Sequence, residues 1–214
     1  CGQRLAVEET LFCTVCLLHL PLTHFHTKPD DNPMTQIFWG LLPIEKASAL
    51  IYYTAHATSS YPVYKLKYMN VPEMGIELGR YMGRQLCKAG FFSEIDAIIP
   101  VPLTQKHQRQ RGYNQSQMIA EGIAEECHLP IWNNVVKRNT FHSSQTNKGR
   151  IERASNVKGV FELIDAEKIK DAHVLIVDDV VTTGATICSL GQELRKVEGV
   201  KISVVSVGFA NEQR

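Results

Sequence analysis

Two adjacent carboxylates, Asp178 and Asp179, follow the apolar run Val174, Leu175, Ile176 and Val177 and precede Val180, Val181, Thr182, Thr183, Gly184, Ala185 and Thr186. Neighbouring acids repel each other unless a cation or a polyol takes up their charge and acceptor capacity. The hydroxyl-rich turn after them leads into a segment where Ile187, Leu190, Leu194 and Val197 recur at helical spacing. Thr182, Thr183 and Thr186 are therefore expected at a helix amino end. Unpaired N–H groups and the positive end of the dipole there bind a phosphate without any basic side chain. The dipole contributes only about 0.3–2 kcal/mol, so the fan of N–H and hydroxyl donors must supply most of the affinity. Carboxylates holding two vicinal hydroxyls, beside a loop holding a phosphate, describe a site for a sugar phosphate.

The apolar run that carries the acids reads as a strand buried on both faces, as in a parallel sheet. Its carboxyl end is the rim where open α/β sheets place ligands. An ordinary buried strand ending on helix-capping aspartates is the plainest alternative, and an unneutralised acid pair argues against it. The magnesium-binding strand of a P-loop NTPase requires G-x-x-x-x-G-K-[ST], a motif missing from this sequence. The acidic first strand of a receiver domain requires a further aspartate and a lysine on later strands, and too little chain follows.

Other stretches must position this site. Residues 97–103 read as a strand closed by Pro100 and Pro102, followed by a basic loop with Lys106, Arg109 and Arg111. Met118, Ile119, Ile123 and Ala124 then mark a helix. Basic residues between a strand's carboxyl end and a helix suit a diphosphate, so Arg109 and Arg111 are candidate pyrophosphate ligands. Residues 140–156 hold little that is apolar but carry His142, Lys148, Arg150 and Arg153. A polar stretch of that length beside a phosphate site reads as a functional lid, with Lys148, Arg150 and Arg153 as its cations. Strands are expected at 135–139, 157–163 and 202–208. Earlier in the chain, residues 49–53 read as a strand and Tyr61-Pro62 as a break. A basic-aromatic segment with Lys65 and Lys67 follows, then a core-facing helix over 73–89 stopped by Gly90. Residues 21–48, with Pro21, Pro29, Pro33 and Pro43, look like a connector. Strand–helix alternation of this kind predicts an α/β fold, a mostly parallel sheet with helices on both faces.

With 44% hydrophobic and 21% charged residues, the 214-residue chain is expected to be a soluble globular protein of one domain plus a small appendage. A net charge of +1 argues against bulk attraction to nucleic acid or anionic membranes, and no apolar run reaches membrane-spanning length. Six cysteines without a visible signal peptide favour reduced thiols or metal ligands, hence the cytoplasm. Cys13-Thr14-Val15-Cys16 is a zinc-type hook. Cys1, in a Cys-Gly context, would begin a second hook with a cysteine just upstream, and His19, His24 and His26 are substitute ligands. Two free cysteines are the other reading. The expected layout is a Cys-rich, zinc-knuckle-like segment at 1–30 and the main domain at 45–214.

Residues 174–186 closely resemble the phosphoribosyl pyrophosphate (PRPP) motif of type I phosphoribosyltransferases, all thirteen in register. The Cys-x-x-Cys hook, Pro100-Val101-Pro102-Leu103, Arg109-Gln110-Arg111-Gly112-Tyr113-Asn114-Gln115-Ser116, Ser144-Gln145-Thr146 and residues 150–161 extend the resemblance. In that order they are similar to the ComF family, the competence proteins and their GntX-like relatives. The resemblance implies a type I phosphoribosyltransferase fold behind a small zinc knuckle. It implies that Asp178 and Asp179 take the ribose hydroxyls, that Thr182, Thr183, Gly184, Ala185 and Thr186 take the 5′-phosphate, and that magnesium bridges pyrophosphate and ribose. The incomplete first cysteine pair departs from the family pattern. Two functions are open: transfer of a phosphoribosyl group to an acceptor that no residue reveals, or a non-catalytic role in uptake or processing of single-stranded DNA with PRPP as regulator. Expected partners are PRPP or another ribose phosphate, single-stranded DNA or competence-machinery proteins, and a second copy in a homodimer.

Overall fold

A computed structural model describes residues 4–7, 9, 12–55, 57, 60–139 and 159–210. In chain order these form α1 (Thr14–Leu18), α2 (Pro33–Gln36), β1 (Ala47–Tyr52), α3 (Tyr61–Tyr68), α4 (Pro72–Lys88), β2 (Ala97–Pro100), α5 (Gln105–Arg111) and α6 (Gln115–Cys127). The series continues with β3 (Val136–Arg138), β4 (Phe161–Leu163), β5 (His173–Val181), α7 (Ala185–Leu194) and β6 (Lys201–Phe209). Four strands make a parallel sheet in the order β1-β6-β5-β2. β3 and β4 pair separately as an antiparallel ribbon.

Alternation along β5 divides the core. Val174 and Ile176 pack with Ile187, Leu190 and Leu194 of α7 and with Met34, Phe38 and Leu42. Leu175 and Val177 pack on the other face with Val63 and Leu66 of α3, Leu78 and Met82 of α4, and Ile119 and Ile123 of α6. Helices thus cover both faces, as a strand with unbroken apolar sequence requires. α4 and α6 approach closely through glycines. A Cβ on Gly79 would lie 2.2 Å from the Ile119 carbonyl oxygen, and one on Gly122 would lie 2.0 Å from that of Ile76.

Three expectations change. The connector at 21–48 is part of the core: Phe25, Met34, Phe38 and Leu42 are all buried, and Phe25 packs edge-on against Tyr52 and Phe209. Asn32 starts α2 with a capping box and Pro33 in the first turn, so the prolines place this segment rather than loosen it. Tyr61-Pro62 opens α3 instead of breaking the chain, for the same reason. The basic loop after β2 is helical: Thr104 caps α5, and Gly112 ends it at φ 78°. Its sequence has no apolar stripe, so periodicity could not find it. The 140–156 stretch, with Lys148, Arg150 and Arg153, lies outside the described residues, as do Cys1 and the first part of the strand expected at 157–163.

Candidate functional site

The acid pair sits inside β5, not after it. β6 continues to pair beyond Val177, with Asp178 opposite Ser206 and Val181 opposite Phe209. β2 stops earlier: its last paired residue is Pro100, opposite Val177, with Val101 N–H still donating to the Val177 carbonyl at 2.9 Å. From Asp178 onward the β2 side of β5 is left open at the rim of the sheet, and the two carboxylates stand there.

The Arg-Gly-Tyr-Asn-Gln-Ser run builds the opposite wall. Asn114 caps α6 by accepting from Ser116 N–H at 3.1 Å and donates its amide to the Val101 carbonyl at 3.0 Å. The end of β2 is thereby tied to the start of α6. Ser116 Oγ donates to Asp178 Oδ1 at 3.1 Å, and the backbone N–H of Asp179 donates to the same oxygen at 2.8 Å. Gln115 is buried; its Oε1 accepts from Arg111 Nη1 at 2.9 Å, and its Nε2 has no partner among the described residues. Tyr113 donates its hydroxyl to the Leu66 carbonyl, fixing the run against α3.

Charge is balanced from α3. Lys67 Nζ lies 3.0 Å from Asp179 Oδ1, with both side chains largely shielded. A cation at the acid pair is what two adjacent carboxylates require, and the ammonium stands where a hard metal ion or a polyol would otherwise engage them. Two carboxylates on one rim are donors of the kind magnesium shares with substrate phosphates. Asp178 makes no direct ion pair among the described residues, and Lys67 acts on it only from a distance. Burial, and then the charge of Asp179, push its carboxyl up to about 7, partly offset by the hydrogen bonds from Asp179 and Ser116.

The turn after β5 leads into the amino end of α7, where helical spacing placed it. Gly184 caps α7 at φ 75°, and a Cβ there would lie 2.8 Å from Cε1 of Phe38. Only glycine fits both the left-handed backbone and that ring. Thr182, Thr183 and Ala185 are exposed and Thr186 is half-buried in the first helical turn. Thr183 Oγ1 accepts from Ala185 N–H at 3.5 Å, a long contact that a ligand oxygen can displace.

Arg109 and Arg111 line a cleft of about 710 Å³ with Lys67, Tyr68, His107 and Tyr113. The predicted pyrophosphate ligands thus converge beside the lysine that touches Asp179. Sequence reasoning placed Lys67 only in a basic-aromatic segment; the fold pairs it with Asp179. It missed Ser116 and Gln115 as individual site residues, although the motif containing them was legible.

At the amino end, Cys13 Sγ accepts from Cys16 N–H at 3.4 Å, and that bond lowers the Cys13 pKa first among its causes. A stabilised thiolate suits a metal hook. His19 Nδ1 is 2.7 Å from the Val15 carbonyl oxygen, so that ring nitrogen is engaged with the backbone. Among the described residues no cluster of three or more metal-ligating side chains is formed.

The Phosphoribosyl transferase domain family matches residues 114–214, from the α6 cap through β6. Competence protein F of Haemophilus influenzae is 36% identical over 110 residues, which cover 51% of this chain and 48% of that protein. DNA utilization protein YhgH of Shigella flexneri is 27% identical over 207 residues, covering 95% of this chain and 86% of that protein. Competence protein ComFC of Bacillus subtilis is 27% identical over 90 residues, 42% of this chain and 34% of that protein. These similarities support a place in the ComF family of the phosphoribosyltransferase superfamily. The chain's parallel sheet with helices on both faces is an α/β architecture of the phosphoribosyltransferase type. A purine phosphoribosyltransferase from Pyrococcus horikoshii superposes with a TM-score of 0.41 at 19% identity, over 68% of this chain and 87% of that one. Among the described residues no helix is long and apolar enough to cross a membrane.

Proposed function

We propose that this ComF-family protein binds PRPP together with magnesium at the open rim of β5. Asp178 and Asp179 accept hydrogen bonds from the ribose hydroxyls, and the turn formed by Thr182, Thr183, Gly184, Ala185 and Thr186 takes the 5′-phosphate. The observation that carries this is the half-buried acid pair where β5 extends past the end of β2, with Asp179 five residues from a left-handed glycine cap at the amino end of α7. Magnesium, when bound, neutralises the diphosphate and the acid pair. Arg109 and Arg111 of the adjoining cleft supply further positive charge to the pyrophosphate.

Such a site supports transfer of the phosphoribosyl group. The bond from the anomeric carbon to pyrophosphate breaks, its electron pair leaves on the pyrophosphate oxygen, and an acceptor's lone pair forms the new bond. Positioning and charge neutralisation of the leaving group lower this barrier more than a strong base would. Incubating PRPP and magnesium with a panel of nucleobases and amines tests the reaction. Pyrophosphate release that depends on one acceptor supports transfer. PRPP binding without release from any member supports the second reading.

That second reading is a non-catalytic competence-type protein assisting uptake or processing of single-stranded DNA, with PRPP as regulator. It is favoured by the names of relatives aligned over 95% of this chain. In either case Cys13 and Cys16, with Cys1, are proposed to hold a structural zinc apart from the ribose site.

A further inference from the structure

Helix α3 has two faces. Pro62, Val63 and Leu66 are buried, whereas Tyr61, Tyr64 and Tyr68 are 46%, 51% and 66% exposed. Spacings of three and four residues put the tyrosines in one row along the helix. The rings of Tyr61 and Tyr64 are near-parallel, 12° apart in plane with centroids 6.4 Å apart. Those of Tyr64 and Tyr68 are 5.1 Å apart and tilted by 43°. None of the three belongs to either core cluster.

Cations flank the row at both ends. Lys65 Nζ lies 5.0 Å from the Tyr61 ring centroid, and the Arg111 guanidinium lies 6.0 Å from that of Tyr68. Tyr68 is also a wall of the cleft that holds Lys67, His107, Arg109 and Arg111. Residues 61–70 and 104–113 together contain five Lys and Arg and no Asp or Glu, in a chain whose net charge is +1. Lys67 is paired with Asp179, whereas Lys65, Lys106, Arg109 and Arg111 form no salt bridge among the described residues, and the aromatic row runs into that positive patch.

Rings in a row beside cations match the two parts of a single-stranded nucleic acid. Each base presents a π face that stacks on an aromatic side chain whatever the sequence, and each phosphate pairs with a cation. A duplex hides its base faces, so it would leave the rings unused. We propose that Tyr61, Tyr64 and Tyr68 form a stacking platform for a single-stranded nucleic acid whose backbone continues into the cleft of Arg109 and Arg111. The proposal deepens the DNA-handling reading and does not depend on PRPP chemistry.

Fluorescence anisotropy of a labelled oligothymidylate of about 20 nucleotides, titrated with the full chain, tests it. The parent protein should bind, more weakly as salt rises. Tyr64→Ala should weaken binding about 5- to 100-fold, and Tyr61→Ala/Tyr64→Ala further. Tyr64→Phe, which keeps the ring face, should bind like the parent. Both side chains are exposed, so melting temperatures should be unchanged. If the double variant unfolds, the comparison of Tyr64→Ala with Tyr64→Phe carries the test. PRPP–magnesium affinity, read by calorimetry, should be the same in the double variant and the parent, because neither ring touches the ribose-phosphate site. Loss of PRPP binding in the parent would therefore defeat the proposed function while leaving the oligonucleotide result intact. No oligonucleotide binding, or equal binding by parent and Tyr64→Ala, overturns the platform. So does tyrosine-dependent binding to phosphatidylserine vesicles, or tyrosine-dependent self-association, without oligonucleotide binding.

Discussion

Asp178 carries a carboxyl pushed up to about 7, first by burial and then by Asp179. An unfolded aspartate titrates near 3.9. Between about pH 4 and pH 7 the folded chain thus keeps a proton that the unfolded chain has lost, and stability falls as pH climbs through that window. Asp178→Asn removes this titration. Its melting temperature should gain on the parent's as pH rises from about 5 to about 8, and thermal scans across that range check it. Binding of magnesium with PRPP favours the ionised carboxylate, so binding at pH 6 should release a proton. Affinity should rise toward neutrality and level off above about pH 7. Calorimetry at pH 6 in two buffers of different ionisation enthalpy counts the proton, and a count of zero would contradict the assigned role of Asp178. The acid pair and its loop were legible because their chemistry is written in contiguous residue types. The Ser116 bond to Asp178 joins positions 62 apart, and the Lys67 contact joins α3 to β5. Neither leaves a local pattern.

Elements hold these residues through close backbone approach. α4 and α6 meet at Gly79 and Gly122, where any Cβ would press on a carbonyl oxygen. Gly79→Ala should cost about 1–3 kcal/mol or more, because backbone, unlike a side-chain tip, cannot swing away. Denaturant unfolding measures it, and an unchanged midpoint would mean that the helices separate freely. Gly184→Ala should act differently. It strains a left-handed residue and collides with Phe38, so inorganic phosphate should bind the loop more weakly in the variant. The strands were legible from apolar runs, and the helix at Pro72–Lys88 from its periodicity. α5 was not, because a helix exposed nearly all round carries no apolar stripe. The core role of residues 21–48 was hidden because prolines mark both loops and helix starts.

For the molecule as a whole, strand–helix alternation correctly indicated a parallel α/β sheet with two covered faces, and the near-neutral net charge concealed how unevenly the cations lie. The N-terminal hook and the proposed ribose-phosphate site differ in chemistry. Cys13→Ser and Cys16→Ser should lower zinc content in metal analysis while leaving PRPP affinity unchanged. Loss of PRPP affinity in those variants would mean that the two parts depend on each other.

The claim on which the rest depends is that Asp178 and Asp179 face a ribose. Replacing both with Asn keeps their size, removes two charges and presents amide donors where acceptors are needed. Charge-assisted hydrogen bonds contribute roughly 1.5–3 kcal/mol each. Calorimetry on Asp178→Asn/Asp179→Asn should therefore show affinity for PRPP–magnesium reduced by about one to two orders of magnitude or more. Inorganic phosphate should still bind the 182–186 loop, and the fold should persist. Unchanged PRPP affinity in the folded double variant would contradict the account.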